Sequence, residues 1–172
     1  LRAHRVDMSD NAVARLRCDH RPDIHVQRIG APDAQFGQRA LQHGQRPVRD
    51  ILLQVSFAVS MANGCRYCTI HQVVGLRRLG VDPTKLLAMA KDDSALTPRE
   101  KTAVLFARKL TASPSGVTDA DYATLEAEFQ RQGALEVLLQ TCNFAFMNRF
   151  TDNLRLPSED EAVRVYKEVY GK

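Results

Sequence analysis

The chain has 172 residues, enough for one domain that buries roughly two-thirds of its unfolded surface. Its 44% apolar and 26% charged residues are ordinary for a globular protein, and no apolar run approaches the ~20 residues that span a bilayer. The net charge of +4 is unevenly placed: residues 1–50 hold nine Arg against six Asp, and the remainder is close to neutral, which argues against a nucleic-acid-binding domain.

No secretory h-region opens the chain, so a cytoplasmic protein with no membrane anchor is expected. Residues 1–47 differ from the rest. They include four of the five histidines (His4, His20, His25 and His43) and no Lys, Glu, Tyr or Trp, and their apolar residues follow no helical or strand period. Such a segment buries little surface, so a disordered or loosely attached arm is expected. Its Arg, Ala, His and Gln bias also fits a shifted reading frame in a GC-rich gene.

From residue 48 the punctuation becomes helical. Helices are expected near 49–63, 65–79, 83–91, 98–111, 119–131, 134–154 and 159–170, and no strand of useful length, giving an all-α domain over 48–172. The first helix is apolar around most of its circumference (Ile51, Leu52, Leu53, Val55, Phe57, Ala58, Val59, Met61), which suits a central helix in a bundle that also forms a homo-oligomer. Asn63-Gly64 ends that helix and Cys65 opens the next. Asp82-Pro83 caps the third, and Thr97-Pro98-Arg99-Glu100 is a capping box with Pro at the first helical position. Ala103, Phe106, Ala107 and Leu110 then mark one buried face. Thr118 with Asp119 and Asp121 starts another helix, and Gly133 is expected to end it. Leu135, Leu138, Leu139, Cys142, Ala145 and Phe146 form a further apolar stripe, on which Cys142 reads as a core residue. Ser158-Glu159-Asp160-Glu161 repeats the capping box before the last helix.

The chemistry is concentrated in Cys65-Arg66-Tyr67-Cys68 and His71. A cysteine at a helix N-terminus is expected to have a lowered pKa, because exposed N–H groups and the helix dipole favour the thiolate. Three residues apart on a helix, the two sulfurs share a face and can close a disulfide. His71 lies one turn beyond Cys68, where an imidazole can move a proton near neutral pH.

The segment Met61-Ala62-Asn63-Gly64-Cys65-Arg66-Tyr67-Cys68-Thr69-Ile70-His71-Gln72 resembles the active-site motif of the AhpD-like alkylhydroperoxidases, within the carboxymuconolactone decarboxylase superfamily. Leu96–Lys101 with Phe106–Thr111, and Asn143–Phe150, resemble later helices of that family, so the likeness extends over about residues 48–170. It implies an AhpD-like helical bundle in which Cys68 attacks a hydroperoxide, Cys65 resolves the sulfenic acid as a disulfide and His71 serves as acid/base. A lipoyl or thioredoxin-like dithiol would restore the pair, with no cofactor. Where many members carry a relay glutamate this chain has Leu53, with Asp50 one turn earlier and Gln54 adjacent.

Other readings use the same residues. Cys65, Cys68 and His71 with Cys142 could hold zinc. The pair could serve a non-catalytic thiol redox sensor, and the superfamily also contains decarboxylating lyases. Asn143, Asn148, Arg149 and Asp152 are expected to form hydrogen bonds at helix ends or a subunit seam. Arg66, Arg77 and Arg78 are expected on a solvated face.

Overall fold

The computed structural model describes residues 49–171, and among these it is all-helical. The arm of residues 1–47 lies outside the described residues. Six helices follow in order: α1 (Arg49–Ala62), α2 (Arg66–Arg78), α3 (Pro83–Lys91), α4 (Pro98–Ala112), α5 (Asp119–Leu154) and α6 (Asp160–Tyr170). A single 3-10 turn, Pro114–Gly116, leads from α4 toward α5. No described helix is long and apolar enough to cross a membrane.

α1 is the central element, and its all-round apolar character has a direct cause. Ile51, Val55 and Val59 pack with Ala103, Phe106 and Ala107 of α4 and with Leu125, Phe129, Ala134 and Val137 of α5. Phe57 and Ala58 face a second cluster with Val73 and Leu76 of α2, Leu86 and Met89 of α3, and Val169 of α6. Each large apolar side chain so buried contributes roughly 1.5–3 kcal/mol. Polar residues on α1 are buried too, and Gln54, Ser56 and Ser60 each donate a hydrogen bond. Gln54 Nε2 donates to Glu100 Oε1 at 2.7 Å, and Lys85 Nζ holds both oxygens of the same carboxylate at 2.9 and 3.0 Å.

The expected caps form at Asp82, Thr97 and Thr118, the last two as complete capping boxes. The box expected at Ser158 does not. α6 starts one residue later, with Glu159 at the N-cap and no side-chain capping bond, because the Glu159 carboxylate turns instead toward α2.

The break expected at Gly133 falls at Gln130, whose φ of 55° and ψ of 171° interrupt α5. Gly133 is buried within the second segment. Such a backbone conformation costs about 1–3 kcal/mol for a non-glycine residue. Phe129 and Ala134, on either side, are 1% and 4% exposed in the same core cluster, and that burial offsets the strain.

Candidate functional site

The site begins at the turn between α1 and α2. Gly64 takes a φ of +70°, a conformation that favours glycine, and lets the chain reverse immediately after α1. Cys65 then occupies the N-cap of α2, with its backbone N–H donating to Ser60 O at 3.0 Å. Its sulfur accepts from the Cys68 N–H at 3.4 Å.

A polar seam between α1 and α5 brings in the third participant. Gln140 Nε2 donates to Ser56 Oγ at 2.7 Å, Asn148 Nδ2 donates to Ser60 Oγ at 3.1 Å, and Asn63 Nδ2 donates to Asn148 Oδ1 at 2.9 Å. Asn148 therefore ties a helix end, as its polar character suggested. It also fixes the register of α5, so that Thr151, three residues on, faces the cysteines. Thr151 Oγ1 lies 3.3 Å from Cys65 Sγ and 3.2 Å from Cys68 Sγ. Both thiols are free and buried, at 0% and 5% exposure. The same hydroxyl is 3.0 Å from Met147 O and 3.2 Å from Asn148 O, as back-bonding threonines on helices commonly are.

Burial reverses the expected effect of the helix N-terminus on Cys65. It pushes the thiol up from its ordinary 9.0 to about 12, and its hydrogen bonds with Thr151 and the Cys68 N–H only partly oppose this. At neutral pH Cys65 is a thiol, not a thiolate.

His71 lies on the same helix, one turn beyond Cys68, but its ring is engaged elsewhere. Nδ1 donates to Tyr67 O at 2.7 Å, and Nε2 meets Glu159 Oε2 at 2.5 Å. None of the ring's hydrogen bonds among the described residues goes to a sulfur. The backbone N–H at the N-cap, and then His71, hold the Glu159 carboxyl below its usual range. The family relay position is filled by Leu53, which packs against Gly75 of α2 and belongs to the core. Gln54 is committed to Glu100. The carboxylate that reaches His71 comes from the far end of the chain.

A cavity of about 320 Å³ opens beside the pair, lined by Arg66, Tyr67 and Ile70 of α2 together with Thr151, Asp152 and Arg155. Arg66 thus borders the cavity, beyond its expected place on a solvated face. Thr151 is the lining residue that touches both sulfurs. Cys142 does not enter the site, and its expected place in the core is overturned: it is exposed on the outer side of the stripe with Leu135, Leu139 and Phe146, while Leu138 and Ala145 pack against the core. A zinc site needing Cys142 as fourth ligand is not assembled. Among the described residues no group of three His, Cys, Asp or Glu side chains could hold a metal ion.

Sequence reasoning missed Thr151 and Glu159 as site residues. Thr151 sits amid the polar run of α5, with no local motif. Glu159 carried a signal, but it read as a cap.

Residues 34–109 match the model of the carboxymuconolactone decarboxylase family. The match starts inside the arm, before the boundary expected at residue 48, and ends within α4. Among solved structures, a peroxidase-related protein from Silicibacter sp. TM1040 is similar at 21% identity and a TM-score of 0.63, over 67% of this chain and 62% of that one. An alkylhydroperoxidase AhpD core protein from Ralstonia eutropha JMP134 is similar at 24% identity and a TM-score of 0.62, with the same coverages. The debrominase Bmp8 is similar at 20% identity and a TM-score of 0.65, over 72% of this chain and 68% of that one. An alanine-for-cysteine variant of Bmp8 holds 2,3,4-tribromopyrrole. The chain spans less than two-thirds of the two peroxidase-related structures, and these likenesses establish a shared AhpD-like helical fold. No curated protein sequence matches.

Proposed function

For a chain whose residues 34–109 match the model of the carboxymuconolactone decarboxylase family, we propose a thiol-dependent oxidoreductase that reduces alkyl hydroperoxides. The observation that carries the proposal is two buried, reduced cysteines meeting at one hydroxyl beside an open cavity.

Cys68 is the attacking group. It is the less buried of the two cysteines, and its partner Cys65 is held as a thiol. Its thiolate attacks the distal oxygen of the hydroperoxide, the O–O bond breaks, and the alkoxide leaves and takes a proton. His71 supplies that proton once its exposed bond to Glu159 yields, and Glu159 orients the ring in place of the relay carboxylate absent at Leu53. Cys65 then condenses with the Cys68 sulfenic acid to give a disulfide and water. A lipoyl or thioredoxin-like dithiol reduces the disulfide by exchange. Free thiols of this kind suit the reducing cytoplasm. The exposed apolar face of α5 supports a homo-oligomer.

Stopped-flow oxidation of the reduced protein by an alkyl hydroperoxide tests the proposal. Rapid loss of two thiols is expected, abolished by Cys68→Ser and halted at the sulfenic acid by Cys65→Ser. Oxidation no faster than free cysteine would leave a redox sensor or exchanger. Likeness to a debrominase makes a brominated pyrrole the second electrophile for the same assay.

A further inference from the structure

The geometry points to Thr151 as a catalytic residue of the second half-reaction, relaying the proton of Cys65 as the disulfide closes. The inference rests on the dithiol reading above and adds to it the route by which the resolving thiol is activated.

A threonine hydroxyl has one proton to donate and two lone pairs to accept with. Four groups surround Thr151 Oγ1: Cys65 Sγ at 3.3 Å, Cys68 Sγ at 3.2 Å, Met147 O at 3.0 Å and Asn148 O at 3.2 Å. The carbonyls only accept. In the fully reduced pair both thiols donate to Oγ1, and the hydroxyl proton goes to a carbonyl of its own helix. Every donor is then used. When Cys68 is a thiolate, one rotation about the Cβ–Oγ bond turns the hydroxyl proton from the carbonyl to that sulfur. Cys65 continues to donate, giving the chain Cys65 S–H to Thr151 Oγ1–H to Cys68. The hydroxyl has two arrangements because it has two kinds of acceptor within reach.

The need for such a relay follows from the position of Cys65. It is fully buried, and burial raises its pKa to about 12, so at neutral pH it attacks only if its proton leaves as the S–S bond forms. His71 does not serve this step, since its ring nitrogens face Tyr67 O and Glu159. Thr151 does: it touches Cys65 and also lines the cavity where the departing oxygen emerges. In the step, the Cys65 S–H and Cys68 S–O bonds break, and the S–S bond and an O–H bond of water form. The Cys65 sulfur is oxidised and the Cys68 sulfur is reduced from the sulfenic state. Thr151 accepts the Cys65 proton as it passes its own to the leaving hydroxide, and ends as it began.

The test is separable from peroxidase activity. Reduced protein is mixed with the chromogenic aromatic disulfide DTNB, which modifies an accessible thiol in a first phase and releases a second thionitrobenzoate when Cys65 closes onto Cys68. Cys18 and Cys142 are replaced by serine throughout, so that neither thiol contributes. Wild-type Thr151 is compared with Thr151→Val, Thr151→Ala and Thr151→Ser, each checked for helical circular dichroism. The second phase should slow at least about tenfold relative to the first in the Val and Ala variants, and serine should restore the ratio. Dimedone trapping after one equivalent of hydroperoxide should show the Cys68 sulfenic acid persisting longer in the same two variants. A wild-type second phase in either folded variant overturns the relay. So does equal slowing of both phases that serine does not rescue, which is the mark of packing alone. Wild-type protein that closes on DTNB yet ignores hydroperoxide would remove the peroxidase reading and leave Thr151 judged by the second phase.

Discussion

A sulfur at a helix N-cap ordinarily gives up its proton readily, and Cys65 has the N-cap position and a backbone N–H to accept from. The dipole acts over the first turn and is worth a fraction of a kcal/mol to about 2, whereas complete burial of an anion costs several. Burial wins, and a consequence for stability can be measured. The pKa of Cys65 is raised on folding, from 9.0 to about 12, so its contribution is complete below pH 9 and is lost as pH rises toward 12. By pH 10 the loss should reach roughly 1 kcal/mol, the order of one pKa unit. Urea unfolding of reduced protein at pH 8 and pH 10 should show this loss in wild type and not in Cys65→Ala. Glu159 acts at the same scale. Glu159→Gln leaves His71 without its anionic partner and should slow hydroperoxide-dependent thiol loss roughly tenfold while the helical spectrum stays unchanged.

At the scale of elements, three helices are pinned through one carboxylate. Burial works against the charge on Glu100. The hydrogen bonds from Gln54 of α1, Lys85 of α3 and the Thr97 cap of α4 outweigh it and bring the pKa from 4.5 to about 2. A lowered pKa stabilises above the unfolded value, so this contribution is full above pH 4.5 and disappears as pH falls toward 2. Glu100→Gln should cost about 2–3 kcal/mol at pH 7 and much less near pH 2, read from urea midpoints. Gln130 offers the opposite sign. Its left-handed φ belongs to glycine, so Gln130→Gly should raise stability by about 1 kcal/mol, read from urea midpoints. The helix starts at Pro83, Pro98 and Asp119 were legible because each is written locally by a hydroxyl or carboxylate at the cap. The start of α6 was not: it falls one residue later than a box on Ser158 requires, with Glu159 at the N-cap and its carboxylate bonded to His71, 88 residues away in sequence.

At the scale of the whole molecule, exposed large apolar side chains among the described residues gather on the second half of α5. Leu135, Leu139, Phe146, Phe150 and Leu154 are 49–63% exposed and lie along that helix. A patch of this kind is the proposed contact between copies. Phe146→Glu with Phe150→Glu should shift the protein to monomer in light scattering, and a monomeric wild type would remove the proposal. The sequence by itself determined the helices, the central place of α1 and the Cys65–Cys68 pair, because apolar period, caps and motif spacing act over a few residues. Only tertiary structure decided that Thr151 joins the sulfurs, that Glu159 holds His71, that Cys65 keeps its proton and that one side of the α5 stripe faces outward. Each of these depends on which distant helix is packed alongside, and burial and long-range hydrogen bonds leave no local pattern in the chain.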